Sequence, residues 1–557
     1  MLRQRVMAFL LLGCVAVRAN ADEGATGMST PDGQEEEIQQ LAVVEVTGTR
    51  LKRVDTEGLQ PLTIISRAEI EAGGRVSIAD LLQQLPENSF GSSNLRAGFD
   101  SPTLNLRGIG AQYTLILVNG VPLVSEPRLA GGDVQNISLI PLAAVDHIEI
   151  LHEGASAIYG SRAMCSLPLR GLVGIEADHE RYAVNNDLPS TQGDVLGVSA
   201  DNSSARRDVN SLFGELDFNA GGALEAKAAY RYDRYSDQGG GSSPKLAALW
   251  RINADWLLRA SIGEGFHAAD LESLNQSRAE FTASGIADTL RCDQRGACFY
   301  GPYTVLSVAN PYLRPETARQ RNIGLVYSPS TDFSAGIDYY SVSLRHGILP
   351  LSAQAVMDND ARCVESGLGC SLYHEGRVVR DDAGLVQLIE ITTINANVIR
   401  TTGANLSITA KRKFDLGELD LNVVVARILN YEIIFQDVPS AGNQAGFVNQ
   451  PRYRIAAMLG WKSRRWQANL VGNYIAGQVN CNAGDPDPVN DCQTRIAHYA
   501  TVDLQVRRDL PWRGAAILGI RNLTDRNPPL DPLGNGYNGA LYDIAGRTFY
   551  LRYEQDF

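Results

Sequence analysis

Long apolar runs are what this chain of 557 residues lacks. Beyond the extreme N-terminus there is no stretch of about 18 apolar residues, which excludes a transmembrane helix and leaves strands as the only way across a bilayer. Clustered cations are also missing. Lys and Arg number 50 against 63 Asp and Glu, for a net charge of -13, and no basic tract offers the phosphate contacts that a nucleic-acid partner needs. The seven histidines are scattered. His152 in "HEG" lacks the second histidine of a zinc-protease motif, and "GASAIYG" is not the nucleophile turn of a hydrolase. Gly108 and Gly110 in "GIG" fall short of a nucleotide fingerprint. Asp485, Asp487 and Asp491 share one loop, but their spacing is not that of a Ca²⁺ loop and a solvated acidic tip is the better reading. No catalytic, cofactor-binding or metal-binding residue is assigned, and an enzyme is the least supported of the readings below.

What is present begins with a leader. Arg3 and Arg5 precede the apolar run 6–17, and Ala19-Asn20-Ala21 precedes Asp22, a pattern that predicts secretion and cleavage after Ala21. A minority alternative is lipoprotein processing at Cys14, disfavoured by the bulky Leu12 and the short apolar run before it. The remaining cysteines favour an oxidising compartment. Cys292 with Cys298, Cys363 with Cys370, and Cys481 with Cys492 are three local pairs, each inside a loop that contains Gly or Pro, where a bridge would staple a hairpin tip. Cys165 has no such neighbour.

Residues 22–46 form a polar tail expected to be disordered, ending in the β-branched segment Leu41, Ala42, Val43, Val44, Glu45 and Val46. A segment of this kind suits strand addition to a partner's sheet edge, and equally a first strand of the next domain. Residues 47–163 alternate short strands and helices, with Ser77 as a helix N-cap before "IADLLQQLP" and Asn119-Gly120 as a tight hairpin turn. From about residue 209 to 557 the pattern changes to long alternating strands. In "LEAKAAYRYD" Leu224, Ala226, Ala228, Tyr230 and Tyr232 share one face and Glu225, Lys227, Arg231 and Asp233 the other. Strands this long, with charge on the second face, favour a membrane barrel with a wet lumen over a soluble sandwich. Short turns alternate with long stretches such as 265–317, 348–384 and 432–451, as periplasmic turns alternate with outer loops. The fold class is therefore mainly β: a small α+β domain followed by an antiparallel transmembrane β-barrel.

In order and spacing, "VVEVTGTR", "SIADLLQQLP", "NLRGIGAQYTLILVNGVPL" and "LIPLAAVDHIEILHEGASAIYGS" resemble the plug of a TonB-dependent outer-membrane receptor. "NPYLRPETARQRNIGLVYSP", "GIRNLTDRNPP" and "GRTFYLRYEQDF" resemble its barrel segments. The resemblance implies a plug folded inside an outer-membrane barrel, and energy-coupled uptake of a scarce ligand such as a siderophore, cobalamin or oligosaccharide. It implies a TonB-type periplasmic partner gripping residues 41–46, and barrel-assembly machinery reading the terminal aromatic Phe557. Asn94, Arg96, Asp100 and Arg128 on plug loops become ligand-contact candidates, with ordinary solvated loop residues as the alternative. Outer-membrane lipid is the surrounding partner.

After Ser161 the sequence departs from the family. Residues 164–208 read as an irregular junction without the family's first barrel strand, and about 14 strands follow where plugged transporters have about 22. The economical reading is an internal deletion of N-terminal barrel strands. It makes a transport-incompetent remnant, or a non-transporting surface binding protein, the alternative function, and a smaller closed barrel with the plug expelled the alternative architecture.

Overall fold

The computed structural model describes residues 4–6, 61–75, 77–89, 102–126, 134–152, 169–192, 198–220, 223–292, 298–367, 376–395, 398–434, 442–480, 494–530, 536–538 and 541–555. Three bodies can be recognised in them: a small plug, a curved wall, and an outer layer.

The plug is built by local rules. Ser66 caps the helix Arg67–Ala72 with a complete capping box, its side chain accepting from the Glu69 N–H while Glu69 reaches back to the Ser66 N–H at 2.7 Å. Ser77 caps Ile78–Gln83, as expected. Asn119 and Gly120 both take positive φ, 51° and 78°, and join Leu117–Val118 to Val121–Pro122 as a two-residue hairpin. Strands Leu62–Ile65 and Ile148–Leu151 pair antiparallel across the domain. Ile78, Leu82, Leu85, Leu104, Ile137 and Ile150 fill the core between these elements.

The wall is one antiparallel sheet. Fourteen of its strands follow one another in space from Leu169–Val184 to Thr548–Gln555. Their burial is inverted relative to a soluble protein. Glu215, Asp217, Lys227 and Asp233 are buried on the inner face, with Lys227 Nζ 2.5 Å from Glu215, while Val173, Leu216, Leu246 and Leu551 are more than half exposed on the outer face. Apolar side chains pointing outward in register on every strand are stable only against lipid, and the charges are sustainable only because they pair inside.

The count of about 14 strands holds, but the irregular junction does not. Leu169–Val184 is a 16-residue wall strand paired along its whole length with Ser203–Ala220. Its outward positions include Val173 and Ile175, its inward ones Glu176, Glu180 and Tyr182. Charge on the lumen face made the segment look like loop, because a lumen-facing residue contributes no hydrophobic signal.

The three-residue strand Gln4–Val6, within the segment read as a leader, lies antiparallel against the outer edge at Asp178. Among the described residues Thr548–Gln555 pairs only with Gly514–Arg521, and no pairing joins the first and last wall strands.

Much of the sequence expected as long outer loop is ordered. Ala279–Cys292, Cys298–Val308 and Val386–Asn395 form a sheet with three shorter strands, and the helix Ala353–Ser366 packs on it. Val305, Val356, Met357, Ile389 and Ile391 make a dry core there. Beneath it Arg380 donates to Asp288 at 2.8 Å and to Asp360 at 3.0 Å. The disulfide Cys292–Cys298 closes its hairpin. Cys363 is also disulfide-bonded, while Cys370, Cys481 and Cys492 lie outside the described residues.

Candidate functional site: the plug against the wall

The plug touches the wall's inner face through polar groups. Arg75, at the end of the first plug helix-turn, donates to Asp503 on the wall, and Asp503 also accepts from the Asn522 N–H at 2.7 Å. Gln505 donates to the Glu71 carbonyl at 2.8 Å. Arg454 spreads its guanidinium over two plug carbonyls, those of Asn88 and, at 2.6 Å, Gln83. Tyr431 donates to the Gly108 carbonyl at 3.1 Å. These contacts are hydrogen bonds and ion pairs to named backbone and side-chain groups, which fix orientation; beside them, among the described residues, the Tyr113 ring of the plug packs on Leu344 and Ile399 of the wall.

Two glycines permit the approach. Gly74 has φ +59°, and a Cβ there would stand 1.9 Å from the Tyr550 hydroxyl of the last wall strand. Gly108 has φ +73°, and its Cβ would meet the Gln450 side chain at 2.6 Å. Any side chain at either position would strain the turn and force the Tyr550 or Gln450 side chain to move aside.

Between the two bodies Glu87, Arg107, Arg454 and Tyr340 line a small cavity. Arg107, in the "LRGIG" turn with φ 61°, places its guanidinium carbon 3.9 Å from the Tyr340 ring centre. Burial pushes the Glu87 carboxyl above the usual range, and its own backbone hydrogen bond, Arg107 and Arg454 hold it back. His152 is buried beside Thr63, 2.8 Å from its hydroxyl, and burial with the nearby Arg107 and Arg259 lowers its pKa to about 3, so it is neutral.

Glu316 joins all three bodies. It is 1 % exposed and accepts from Tyr113 of the plug, lies 2.8 Å from His267 of the wall, and accepts from the Ile348 N–H of the outer layer at 2.5 Å. Burial and the facing carboxylate push the Tyr113 hydroxyl well above its ordinary pKa, so it donates at all physiological pH values.

Leu41 to Val46, Asn94, Arg96, Asp100, Arg128 and Phe557 lie outside the described residues. The contacts that hold plug to wall were not singled out from the sequence. Arg107 and Glu316 stood inside quoted motifs, "NLRGIG" and "RPETARQRN", yet nothing in one strand's pattern states which distant residue its inner face will meet.

The TonB-dependent receptor plug domain model matches residues 55–165, and the TonB dependent receptor-like β-barrel model matches residues 156–523. The vitamin B12 transporter BtuB of Vibrio vulnificus strain YJ016 is 33% identical over 129 residues, 23% of this chain and 20% of that protein. An iron-regulated outer membrane virulence protein of Vibrio cholerae is 28% identical over 165 residues, 29% of this chain and 24% of that protein. The matched portion thus spans about a quarter or less of these curated relatives. In fold, the chain resembles the ferric enterobactin receptor of Pseudomonas aeruginosa, with TM-score 0.61 and 14% identity over 89% of this chain and 98% of that one. It also resembles the siderophore receptor PirA of Acinetobacter baumannii, with TM-score 0.59 and 12% identity over the same shares. The names of the B12 relative and of the two solved structures are those of a transporter and of receptors. With both domain models in sequence order and the barrel model covering more than half of the chain, this outer-membrane β-barrel protein belongs to the TonB-dependent receptor family.

Proposed function

We propose that the chain is a receptor for energy-coupled uptake of a scarce small ligand, a siderophore, cobalamin or an oligosaccharide, across the outer membrane. In this reading residues 47–163 are the gate, the wall is the passage, and residues 41–46 are the strand that a TonB-type periplasmic protein grips and pulls. Main-chain pairing suits that task because it is nearly independent of sequence. The observation that carries the proposal is the polar character of the plug–wall contacts. Arg75–Asp503, Gln505–Glu71, Arg454–Asn88 and Tyr431–Gly108 are polar contacts that can re-form with water once the plug has moved, and the Tyr113 ring against Leu344 and Ile399 is a small apolar contact beside them, so a shift of the plug uncovers little hydrophobic surface. Deleting residues 41–46 tests it. Loss of ligand-dependent growth, with binding of a panel of iron chelates, corrinoids and glycans intact, is expected; unchanged growth refutes energy coupling.

A second reading has its own support. The first and last wall strands are not paired with each other among the described residues, and an open edge in lipid costs several kcal/mol per unsatisfied group. That favours a surface receptor that binds without transporting. Heat-modifiable migration of the outer-membrane fraction separates the two, since only a closed barrel migrates as a compact, heat-sensitive species.

A further inference from the structure

The lipid face of the last wall strands carries an ordered gradient toward the short-turn end, which is the periplasmic one. Its deepest row runs Leu459, Leu470, Leu504 in direct cross-strand register. The next row holds Trp461 and Leu518. The row nearest the turns places Trp466 directly opposite Arg508, whose guanidinium carbon sits 4.9 Å from the Trp466 ring centre. Beyond it the hairpin turn carries Arg464 and Arg465, and the following turn Trp512 and Arg513, all exposed. Apolar, aromatic and cationic layers thus succeed one another along one arc.

An aromatic belt at the membrane interface is general, but the cations are not explained by it. Other short turns of the same wall carry Asn253 and Asp255, or Thr331 and Asp332, in place of arginine. The Arg pair is also expensive where it stands. Arg464 and Arg513 occupy the left-handed region, with φ 47° and 60°, where Asn or Gly would close the turn at less strain. Nor do they serve the inner face, whose Arg507 already pairs with Asp509 and Glu554. A backbone bond of 2.8 Å from the Asp509 N–H to the Arg465 carbonyl holds the first turn against the Arg508 strand, so the fold sets these two arginine positions side by side.

We propose that this arc is a binding site for an anionic phospholipid of the periplasmic leaflet. Its phosphate lies among Arg465, Arg508 and Arg513, its glycerol region against Trp466, and its acyl chains along Leu470, Leu504 and Leu518. Charge complementarity selects the head group, and the leucine rows select a lipid over a soluble phosphate.

The test uses the full-length protein in phosphatidylcholine nanodiscs doped with brominated phosphatidylglycerol or, at equal mole fraction, brominated phosphatidylcholine. Bromine quenches nearby indoles, so the site predicts stronger quenching by the anionic lipid, an excess that Trp466→Phe reduces. Each Arg→Gln change at 465, 508 or 513 should lower the apparent affinity for the anionic lipid about fivefold at low salt. The excess should shrink as ionic strength rises. Arg508→Lys keeps the charge and should retain most of the preference, which separates a charge site from a structural role. Equal quenching by the two lipids in the unaltered protein overturns the proposal. So does undiminished preference in the triple Gln variant, and so does loss of preference in Arg508→Lys with heat-modifiable migration intact. Should the triple variant fail to insert, the single Arg508→Gln variant decides by the same fivefold criterion.

Discussion

Removing Asp503 isolates a buried cation and tests the claim that polar contacts hold the plug. The Arg75 side chain is 4% exposed and that of Asp503 10%, so neither is well solvated once separated. Breaking such a pair by deleting one partner costs about 3–5 kcal/mol, since the remaining charge stays buried. Asp503→Ala also loses the bond from the Asn522 N–H, about 1 kcal/mol. Against this, Asp543 stands 3.9 Å from Arg75, but its side chain is 47% exposed and returns no more than about 1 kcal/mol. The net expectation is about 4 kcal/mol against plug docking for Asp503→Ala and about 3 kcal/mol for Arg75→Met, which leaves Asp503 its Asn522 bond. With both charges gone, Arg75→Met/Asp503→Ala should cost no more than Asp503→Ala alone, a coupling of about 3 kcal/mol. The urea dependence of proteolysis within residues 61–89 reports docking in the full-length protein, and heat-modifiable migration reports the wall separately. If Asp503→Ala stays within about 1 kcal/mol of the unaltered protein, or the two single changes simply add, the buried ion pair is not what anchors the plug.

His152 should make plug stability fall with acid. Its folded pKa of about 3 lies below the ordinary imidazole value, so the unfolded chain takes up a proton first as pH drops. Stability is then lost by about 1.4 kcal/mol per pH unit below about pH 6.5, and His152→Gln should flatten a urea-midpoint profile over that range. Glu87 acts in the opposite direction. Its raised folded pKa means the docked plug weakens as pH climbs through and just above the normal carboxyl range, and the Glu87→Gln midpoint should lack that decline. Glu316→Gln removes the charge that Tyr113 and the Ile348 N–H donate to, at a cost of about 2–3 kcal/mol, and amide hydrogen exchange should rise at both the plug and the outer layer; a rise confined to one body would contradict its linking role. Cys292→Ser opens a bridge spanning six residues and should destabilise the outer sheet by about 2 kcal/mol without altering plug docking, read by exchange in 279–308.

Where the physics was local, the residues announced the structure. The capping serine Ser77 acts on an N–H group three residues away, and the Asn119-Gly120 turn needs only its own φ angles. Alternation in Leu224–Tyr235 likewise reports the two faces of a single strand. Failures began where the local signal is ambiguous. Leu169–Val184 carries Glu176, Asp178 and Glu180 on its lumen face and so read as loop, although Val173 and Ile175 kept the outward alternation. The outer layer was read as loops because its strands cohere only through Val305, Met357 and Ile389, which are far apart in the chain.

By itself the sequence determined the family, the plug helix after Ser77, the Asn119-Gly120 turn, and the two-faced character of the wall strands, because capping, turn chemistry and side-chain alternation act within a few residues. Only the tertiary structure decided that Arg75 meets Asp503, that Arg454 meets the carbonyls of Gln83 and Asn88, and that Glu316 joins plug, wall and outer layer. The plug–wall partners lie hundreds of residues apart, up to 428 for Arg75 and Asp503, and neither one's neighbours encode the other. The pairing is set by strand register and by how the wall curves around the plug, quantities that exist only once the whole sheet is formed.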